Sequence, residues 1–160
     1  MIEVMENAVR FDETDAQGVV YYGEFFTFMD EAFVAYLDDL GFSYDDRREQ
    51  NWTTHVVHAK MDYQSNVGLG DVVVNAVRFD AIGGSSITVT YEASDAETDR
   101  TIATGECVYV TVDGETGDPI DVPRAVRRAA ARAQETPPTD GQTERRPDDA
   151  RPTSDSRNQP

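Results

Sequence analysis

A wide apolar stripe in the segment after Gly23 constrains the fold more than any other feature of the chain. Its apolar residues recur at steps of three and four, the spacing of a helix with one buried face. Gly41 and Phe42 then suit a left-handed helix stop closed by an apolar contact. The pattern predicts a helix over residues 24–40 that needs a broad apolar partner. The stripe consists of Phe25, Phe28, Met29, Ala32, Phe33, Tyr36, Leu37 and Leu40.

After this helix the hydrophobic period changes to two. In "ITVTYEA", Ile87, Val89 and Tyr91 share one face, which is typical of a half-buried antiparallel strand. Similar runs occupy about residues 54–64, 71–81 and 101–112, separated by turns rich in glycine, serine and aspartate. With an opening strand over 2–11, the predicted order is strand, helix, then four strands. The closing "VPRAVRRAAARA" predicts a short terminal helix.

Three small residues indicate where the helix packs. Ala103, Gly105 and Cys107 share one face of the last long strand, so a bulky element can approach it closely. We therefore expect an α+β fold in which a curved antiparallel sheet wraps around one long helix. Cys107 is expected to be an inert buried thiol.

The charge of the chain restricts its partners and its surroundings. The formal net charge is −17, from 31 acidic and 14 basic side chains, and Lys60 is the only lysine. This balance argues against nucleic acid or an anionic membrane as a partner. Because salt screens the self-repulsion of such a chain, we expect a halophilic protein. The sequence shows neither a leader nor a membrane span, so a cytoplasmic location is predicted.

The last part of the chain differs in composition from the rest. Residues 134–160 hold five of the seven prolines and no aromatic side chain. Such a segment buries too little apolar surface to offset the entropy of ordering. We therefore predict one domain over residues 1–133 and a disordered acidic, proline-rich tail over 134–160.

Three sequence blocks together resemble a known family. They are "VRFDETDAQGVVYYGEFFTFMDEA", "MDYQSNVGLGD" and "GECVYVTVDGETGDPIDVP". The pattern over about residues 8–128 resembles the hotdog-fold acyl-CoA thioesterases of the 4-hydroxybenzoyl-CoA thioesterase type, which include the Tol-Pal-associated thioesterases. The resemblance implies a five-stranded antiparallel sheet around a central helix, assembly as a homodimer or homotetramer, and an acyl-CoA substrate bound at the subunit boundary. It implies no cofactor and no metal.

The resemblance also assigns roles to residues. It places the catalytic carboxylate on Asp15 and the backbone N–H that polarises the thioester carbonyl on Tyr22. Asp15 would act as nucleophile or as general base, and the sequence leaves both roles open. Viewed alone, Asp15 is better explained as a turn former, and the surrounding pattern is what favours catalysis. The residues expected to shape or line the substrate site are Gly18, Val20, Tyr21, Phe25, His55, Gly84 and Ser85.

Several nearby residues have simpler explanations. Asp12 and Glu13 are expected to be solvated acids, and Gly18 a turn glycine. His55 and His58 stand without the spacing of a metal site. The turn "IGGSS" lacks the basic residue that holds CoA phosphates in several relatives, so its backbone N–H groups would have to serve. This departure keeps open an alternative function, a hotdog protein that binds an acyl-CoA thioester without hydrolysing it.

Overall fold

The computed structural model describes residues 1–141, and residues 142–160 lie outside it. The strands are β1 (Ile2–Ala8), β2 (Trp52–Tyr63), β3 (Val72–Ile82), β4 (Ser86–Asp95), β5 (Thr101–Asp113) and β6 (Thr139–Asp140). The helices are α1 (Glu24–Asp39), α2 (Tyr44–Glu49) and α3 (Arg124–Ala133), and a single 3₁₀ turn spans Phe11–Glu13. The predicted long helix and five long strands are confirmed within a few residues at each end.

The strands form one sheet. Its order is β1-β3-β4-β5-β2, every neighbouring pair along it is antiparallel, and β6 pairs in parallel with the end of β3. The helix α1 packs against one face of this sheet, with contacts to β1, β2, β3 and β4. The predicted α+β hotdog fold is thus confirmed, with β6 as an added short strand.

The small residues of β5 do receive the helix. A Cβ added at Gly105 would lie 3.1 Å from the Sδ of Met29 on α1 and 3.0 Å from the Sδ of Met61 on β2. Ala103 and Cys107 are fully buried on either side of it. Burial raises the pKa of the Cys107 thiol, which agrees with an inert cysteine. Gly105 is therefore required for the close approach of α1 to the sheet.

The strand β2 forms one edge of the sheet. It pairs with β5 on one side, and Val56 and Val57 remain more than half exposed. A bulge between Val56 and His58 interrupts the pairing at this point. Because α1 leaves the middle of β2 uncovered, both faces and the outer edge of this segment are open within one protomer.

The fold continues past the predicted domain end at residue 133. Gln134 is buried, and its amide exchanges hydrogen bonds with the backbone of Phe79, at 2.8 Å to the N–H and 3.0 Å to the carbonyl. The strand β6 then pairs with Ala81 and Ile82. Residues 134–141 therefore belong to the domain, because a buried glutamine satisfies both backbone groups of β3 that would otherwise lack partners. The rest of the predicted tail lies outside the described residues.

Candidate active site

The loop that carries Asp15 is a tight, hydrogen-bonded turn. The N–H of Asp15 donates to the Val19 carbonyl at 2.8 Å, and the N–H of Gly18 donates to the Asp15 carbonyl at 2.9 Å. Gly18 has a φ of +78°, a conformation that favours glycine. An isolated bridge between Thr14 and Val20 closes the turn. The backbone of Asp15 is therefore fixed immediately before the start of α1.

The Asp15 carboxylate is half-buried and is held by neutral donors. The Gln17 N–H donates to Oδ1 at 2.8 Å. The Gln17 side-chain amide, in the orientation that suits both groups, donates to Oδ1 and Oδ2 at 3.0 and 3.2 Å. Among residues 1–141, no cation lies within salt-bridge distance of this carboxylate. Asp15 is thus oriented by its own loop, with oxygen lone pairs left for a water or a substrate.

The start of α1 provides an unpaired amide after this turn. The Tyr21 N–H donates to the Glu13 carbonyl and the Glu24 N–H donates to the Tyr21 carbonyl, at 2.8 and 2.9 Å. Between them, the Tyr22 N–H has no acceptor among residues 1–141. Tyr22 lies one residue before Gly23, the N-cap of α1, so its N–H is beside the partial positive charge of the helix N-terminus. Tyr22 is 60% exposed, so the residue lies on an open part of the surface.

Tyr63, which the sequence reading did not assign to the site, borders Tyr22. Its hydroxyl donates to the Tyr22 carbonyl at 2.8 Å. The rings of Tyr22 and Phe25 lie 6.3 and 5.9 Å from its ring. Burial raises the pKa of the Tyr63 hydroxyl, which keeps it a donor at neutral pH. The block "MDYQSNVGLGD" contains Tyr63, so the sequence signal was present in a segment that otherwise read as strand and turn.

The block "MDYQSNVGLGD" contacts the Asp15 loop at Val67 and Gly68. Val19 and Gly68 form an isolated bridge, and the Val20 N–H donates to the Val67 carbonyl at 2.9 Å. A Cβ at Gly68 would lie only 2.8 Å from the Gly18 carbonyl oxygen. Gly68 therefore allows the two loops to approach closely, and each stabilises the position of the other.

Glu13 differs from the expectation of a solvated acid. It is 4% exposed, and its carboxylate accepts from the backbone N–H of Arg10 at 2.8 Å and from the guanidinium at 2.6 and 3.0 Å. This hydrogen bond also raises the pKa of Arg10. Burial is tolerated because the charge is paired and hydrogen-bonded. Glu13 thus holds the turn that leads to Asp15, whereas Asp12 is exposed as expected.

The other predicted site residues fall into two groups. Val20 and Phe25 are buried, while Tyr21 is exposed beside Tyr22, with ring centres 4.5 Å apart. His55 lies at the opposite end of β2 from Tyr63, since His55 pairs with Val110 and Tyr63 pairs with Ala103. Residues 103 and 110 are about 23 Å apart along a regular strand. One protomer therefore does not bring His55 next to Asp15.

Gly84 and Ser85 lie at the His55 end as well, because the neighbouring Ser86 also pairs with Val110. Their turn is bound by Arg127 of α3, whose Nη1 donates to the Ile82 carbonyl at 2.9 Å and whose Nη2 donates to the carbonyls of Gly83 and Gly84. The turn has no arginine of its own in the sequence, but the fold brings Arg127 of α3 to it. Its donors serve backbone carbonyls, so it stabilises the turn.

Two further findings concern the described residues as a whole. Within the described residues, no group of three or more histidine, cysteine, aspartate or glutamate side chains could hold a metal ion. Within residues 1–141, no helix is both long enough and apolar enough to cross a membrane. The polar groups described at the N-terminal end of α1 include the Asp15 carboxylate, the Tyr22 N–H and the Tyr63 hydroxyl, which donates to the Tyr22 carbonyl.

The fold is that of a hotdog protein, and comparisons with known proteins identify its family. The family model described as the Thioesterase-like superfamily matches residues 9–130. A 1,4-dihydroxy-2-naphthoyl-CoA hydrolase of Synechococcus elongatus is 28% identical over 115 residues, which cover 69% of this chain and 82% of the relative. The chain belongs to the thioesterase-like superfamily, and its class is that of thioester hydrolases.

Solved structures agree with this assignment. A DHNA-CoA thioesterase from Staphylococcus aureus superposes with a TM-score of 0.75 at 25% identity, covering 84% of this chain and 92% of the other. A gentisyl-coenzyme A thioesterase superposes with a TM-score of 0.72 at 25% identity, covering 80% of this chain and 99% of the other. Matches of this extent span the whole hotdog domain.

Proposed function

We propose that this protein hydrolyses an acyl-CoA thioester to a free acid and CoA at the Asp15 loop. The observation that supports this most is the order of groups at the start of α1. A fixed carboxylate at Asp15 is followed by a free amide at Tyr22, in the thioesterase-like part of the chain. The amide would donate to the thioester oxygen as it gains negative charge.

The carboxylate completes the reaction in one of two ways. As a general base, Asp15 takes a proton from water, the hydroxide oxygen bonds to the carbonyl carbon, and the C–S bond breaks to release the CoA thiolate. As a nucleophile, Asp15 forms a mixed anhydride with release of the thiolate, and water then hydrolyses the anhydride. A thiolate leaves without strong general-acid help because its pKa is low. In the first route Asp15 then gives its proton to the released thiolate or to solvent, and in the second the hydrolysis of the anhydride frees its carboxylate.

The acyl group would lie beside aromatic side chains. Tyr21 and Tyr22 are exposed at the start of α1, and Tyr63 faces Tyr22 from β2. Aromatic rings favour edge or stacked contacts with a planar acyl group. The relative from Synechococcus elongatus and the two solved thioesterases are named for aromatic CoA thioesters. An aromatic acyl-CoA is therefore the first substrate class to test.

The assembly we propose pairs two copies through the free edge of β2. This edge carries the exposed Val56 and Val57, and an unpaired strand edge favours pairing with another strand. A two-fold axis would make the two β2 strands antiparallel. The His55 end of one copy would then approach the Tyr63 end of the other. That arrangement would bring together the two groups of predicted site residues that one protomer keeps apart.

The proposed setting is the cytoplasm of a cell rich in salt. The supporting observation is the charge, which is −15 over residues 1–133 and so belongs to the folded domain. In about 1 M salt the Debye length is only about 3 Å, so repulsion between these charges is largely screened.

The activity is tested by thiol release from a panel of aromatic and aliphatic acyl-CoAs in molar potassium chloride. The variant Asp15→Asn should lose about 100-fold or more in kcat, the range ascribed to a positioned acid or base. The matched control Asp12→Asn removes an exposed acid three residues earlier and should keep wild-type activity. Tyr22→Phe should also stay active, because it retains the backbone N–H.

Other outcomes would contradict the proposal. Full activity of Asp15→Asn would remove the carboxylate from the mechanism. Thermal stabilisation by acyl-CoA without any thiol release across the panel would select the non-catalytic binding function instead. A single turnover in heavy-oxygen water detects the anhydride route, because label enters the Asp15 carboxylate only when water attacks the Asp15 carbon of an anhydride.

A further inference from the structure

A cavity lies at the far end of α1 from the Asp15 loop. It has a volume of about 370 Å³ and lies between α2, the start of β2 and the turn that follows β5. Such a volume is at the low end of small-molecule sites, which span about 300 to 1,000 Å³. We name it the Arg47 cavity, after its lining residues Tyr44, Arg47, Arg48, Trp52 and Glu115.

Arg47 is the unusual member of this lining. It is only 6% exposed, and its Nε donates to the Ser43 carbonyl at 3.3 Å. Among residues 1–141, no carboxylate lies within salt-bridge distance of it, and its two Nη groups have no hydrogen-bond acceptor. Arginine is rarely buried unless it is paired, because removing a charge from water is costly. The Nη atoms are not among the enclosed polar atoms of the described residues, so they are accessible from the cavity and available to an anionic ligand.

The fold holds Arg47 in this position. A capping box at Ser43 and Asp46 fixes the start of α2, with Asp46 Oδ2 accepting from the Ser43 N–H at 3.0 Å. This bonding to Ser43 lowers the pKa of Asp46, so its carboxylate is committed to the cap. At the other end of α2, the Asn51 side chain donates to Asp113 at 2.9 Å. Asp46 and Asp113 are thus engaged by other groups, and Arg47 has no charge partner among residues 1–141.

The cavity wall also has an aromatic part. Trp52 is buried, and its indole Nε1–H has no acceptor among residues 1–141. Tyr44, which also lines the cavity, is exposed. These rings give the wall apolar surface for a compact apolar body, and the guanidinium of Arg47 has the planar donor pair that suits a carboxylate.

The charge of the lining selects among anions. Arg47 and Arg48 contribute two positive charges and the exposed Glu115 one negative charge, so a single positive charge remains. A monoanion suits this balance better than a phosphate dianion. We propose that the Arg47 cavity binds a small organic monocarboxylate, with its carboxylate on the Nη groups of Arg47 and its apolar body against Trp52.

The test uses the full chain and its single tryptophan, Trp52, as a fluorescent reporter. Potassium benzoate replaces potassium chloride at constant ionic strength, and Trp52 emission is followed. We expect a saturable change with benzoate, and none with the neutral benzyl alcohol or with inorganic phosphate over the same concentrations. No saturable change with benzoate would overturn the proposal. An equal response to benzyl alcohol or to phosphate would overturn it as well.

Variants test the role of Arg47 directly. Arg47→Gln should weaken benzoate binding about tenfold or more, because a charged hydrogen-bond donor pair is lost. Arg132→Gln removes an exposed arginine of α3 outside the cavity and should bind as wild type. If far-UV circular dichroism shows that Arg47→Gln does not fold, Arg47→Lys replaces it and should bind several-fold more weakly. Wild-type benzoate affinity in a folded Arg47 variant would refute the assignment.

Discussion

The contact between Gly68 and Gly18 gives a direct test of how the Asp15 loop is positioned. Gly68 has no positive φ, so alanine suits its backbone, and in an open place Gly68→Ala would add about 0.4–1 kcal/mol of stability by restricting the unfolded chain. Here the new Cβ would lie 2.8 Å from the Gly18 carbonyl oxygen, whereas ordinary contacts begin near 3.4 Å. The two loops must therefore separate by about 0.6 Å.

This displacement should reduce catalysis more than stability. A misplacement of about 1 Å in an active site costs about 100-fold in rate, so about 0.6 Å should cost roughly tenfold in kcat. The assay is thiol release from the best acyl-CoA of the panel, with thermal unfolding measured in parallel. We expect Gly68→Ala to unfold within a few degrees of wild type while kcat falls.

The control is Gly117→Ala, in the turn after β5. Gly117 has a φ of +74° with open space around its Cα, so alanine there adds backbone strain without a steric contact. It should lower the unfolding temperature and leave kcat unchanged. If Gly68→Ala kept kcat within twofold of wild type, the Gly68–Gly18 contact would not position the catalytic loop.

Three further predictions concern Tyr63 beside the candidate site, the pairing of two copies through β2, and the net charge of the chain. Tyr63→Phe removes the hydrogen bond to the Tyr22 carbonyl and should lower kcat about three- to tenfold, measured by thiol release, while an unchanged kcat would deny it a positioning role. Val57→Glu should shift the protein toward monomer in light scattering. The control Leu69→Glu should not, although Leu69 is 62% exposed and Val57 61%. The unfolding temperature should rise with potassium chloride up to molar concentration, and a higher value without salt would contradict the halophile prediction.

The long elements could be predicted because their patterns are local. The stripe of α1 repeats over four turns, and the alternation in β4 and β5 covers whole strands. The close approach at Gly105 also followed from three small residues on one face. These features depend on residues near one another in sequence, so one chain is enough to read them.

The elements that were missed depend on contacts between distant residues. The helix α2 is short and entirely polar after Tyr44, so it has no apolar stripe, although Ser43 and Asp46 have the spacing of a capping box. The strand β6 has two residues and forms only because β3 offers a free edge there. The buried pairing of Glu13 and the position of Arg127 at the β3–β4 turn likewise result from tertiary packing.

The site residues divide in the same way, into those that lie in one sequence segment and those that tertiary packing brings to it. Asp15, Gly18 and Tyr22 belong to one continuous block, in which the structure shows a closed turn at Asp15 and a Tyr22 N–H without an acceptor among residues 1–141. Tyr63 and Gly68 come from a later block and contact the first through β2 and its following loop. The approach of such blocks depends on strand register, which turn composition alone leaves undefined.

The phosphate charges of CoA should make KM depend on salt. CoA carries several phosphate charges, and the domain that would bind it has a net charge of −15 over residues 1–133. The one arginine at the "IGGSS" turn, Arg127, donates to the carbonyls of Ile82, Gly83 and Gly84. Repulsion should therefore outweigh attraction at low salt, where the Debye length is about 10 Å at 0.1 M.

KM for an acyl-CoA should thus fall as potassium chloride rises from 0.1 to 1 M. This is the opposite of the salt dependence of a site that attracts phosphates through free arginines or lysines. The matched substrate is the same acyl group on N-acetylcysteamine, which lacks the phosphates and should show a nearly constant KM. A KM for acyl-CoA that rises with salt would mean that other cations, such as the exposed Arg124 and Arg128 of α3, hold the nucleotide.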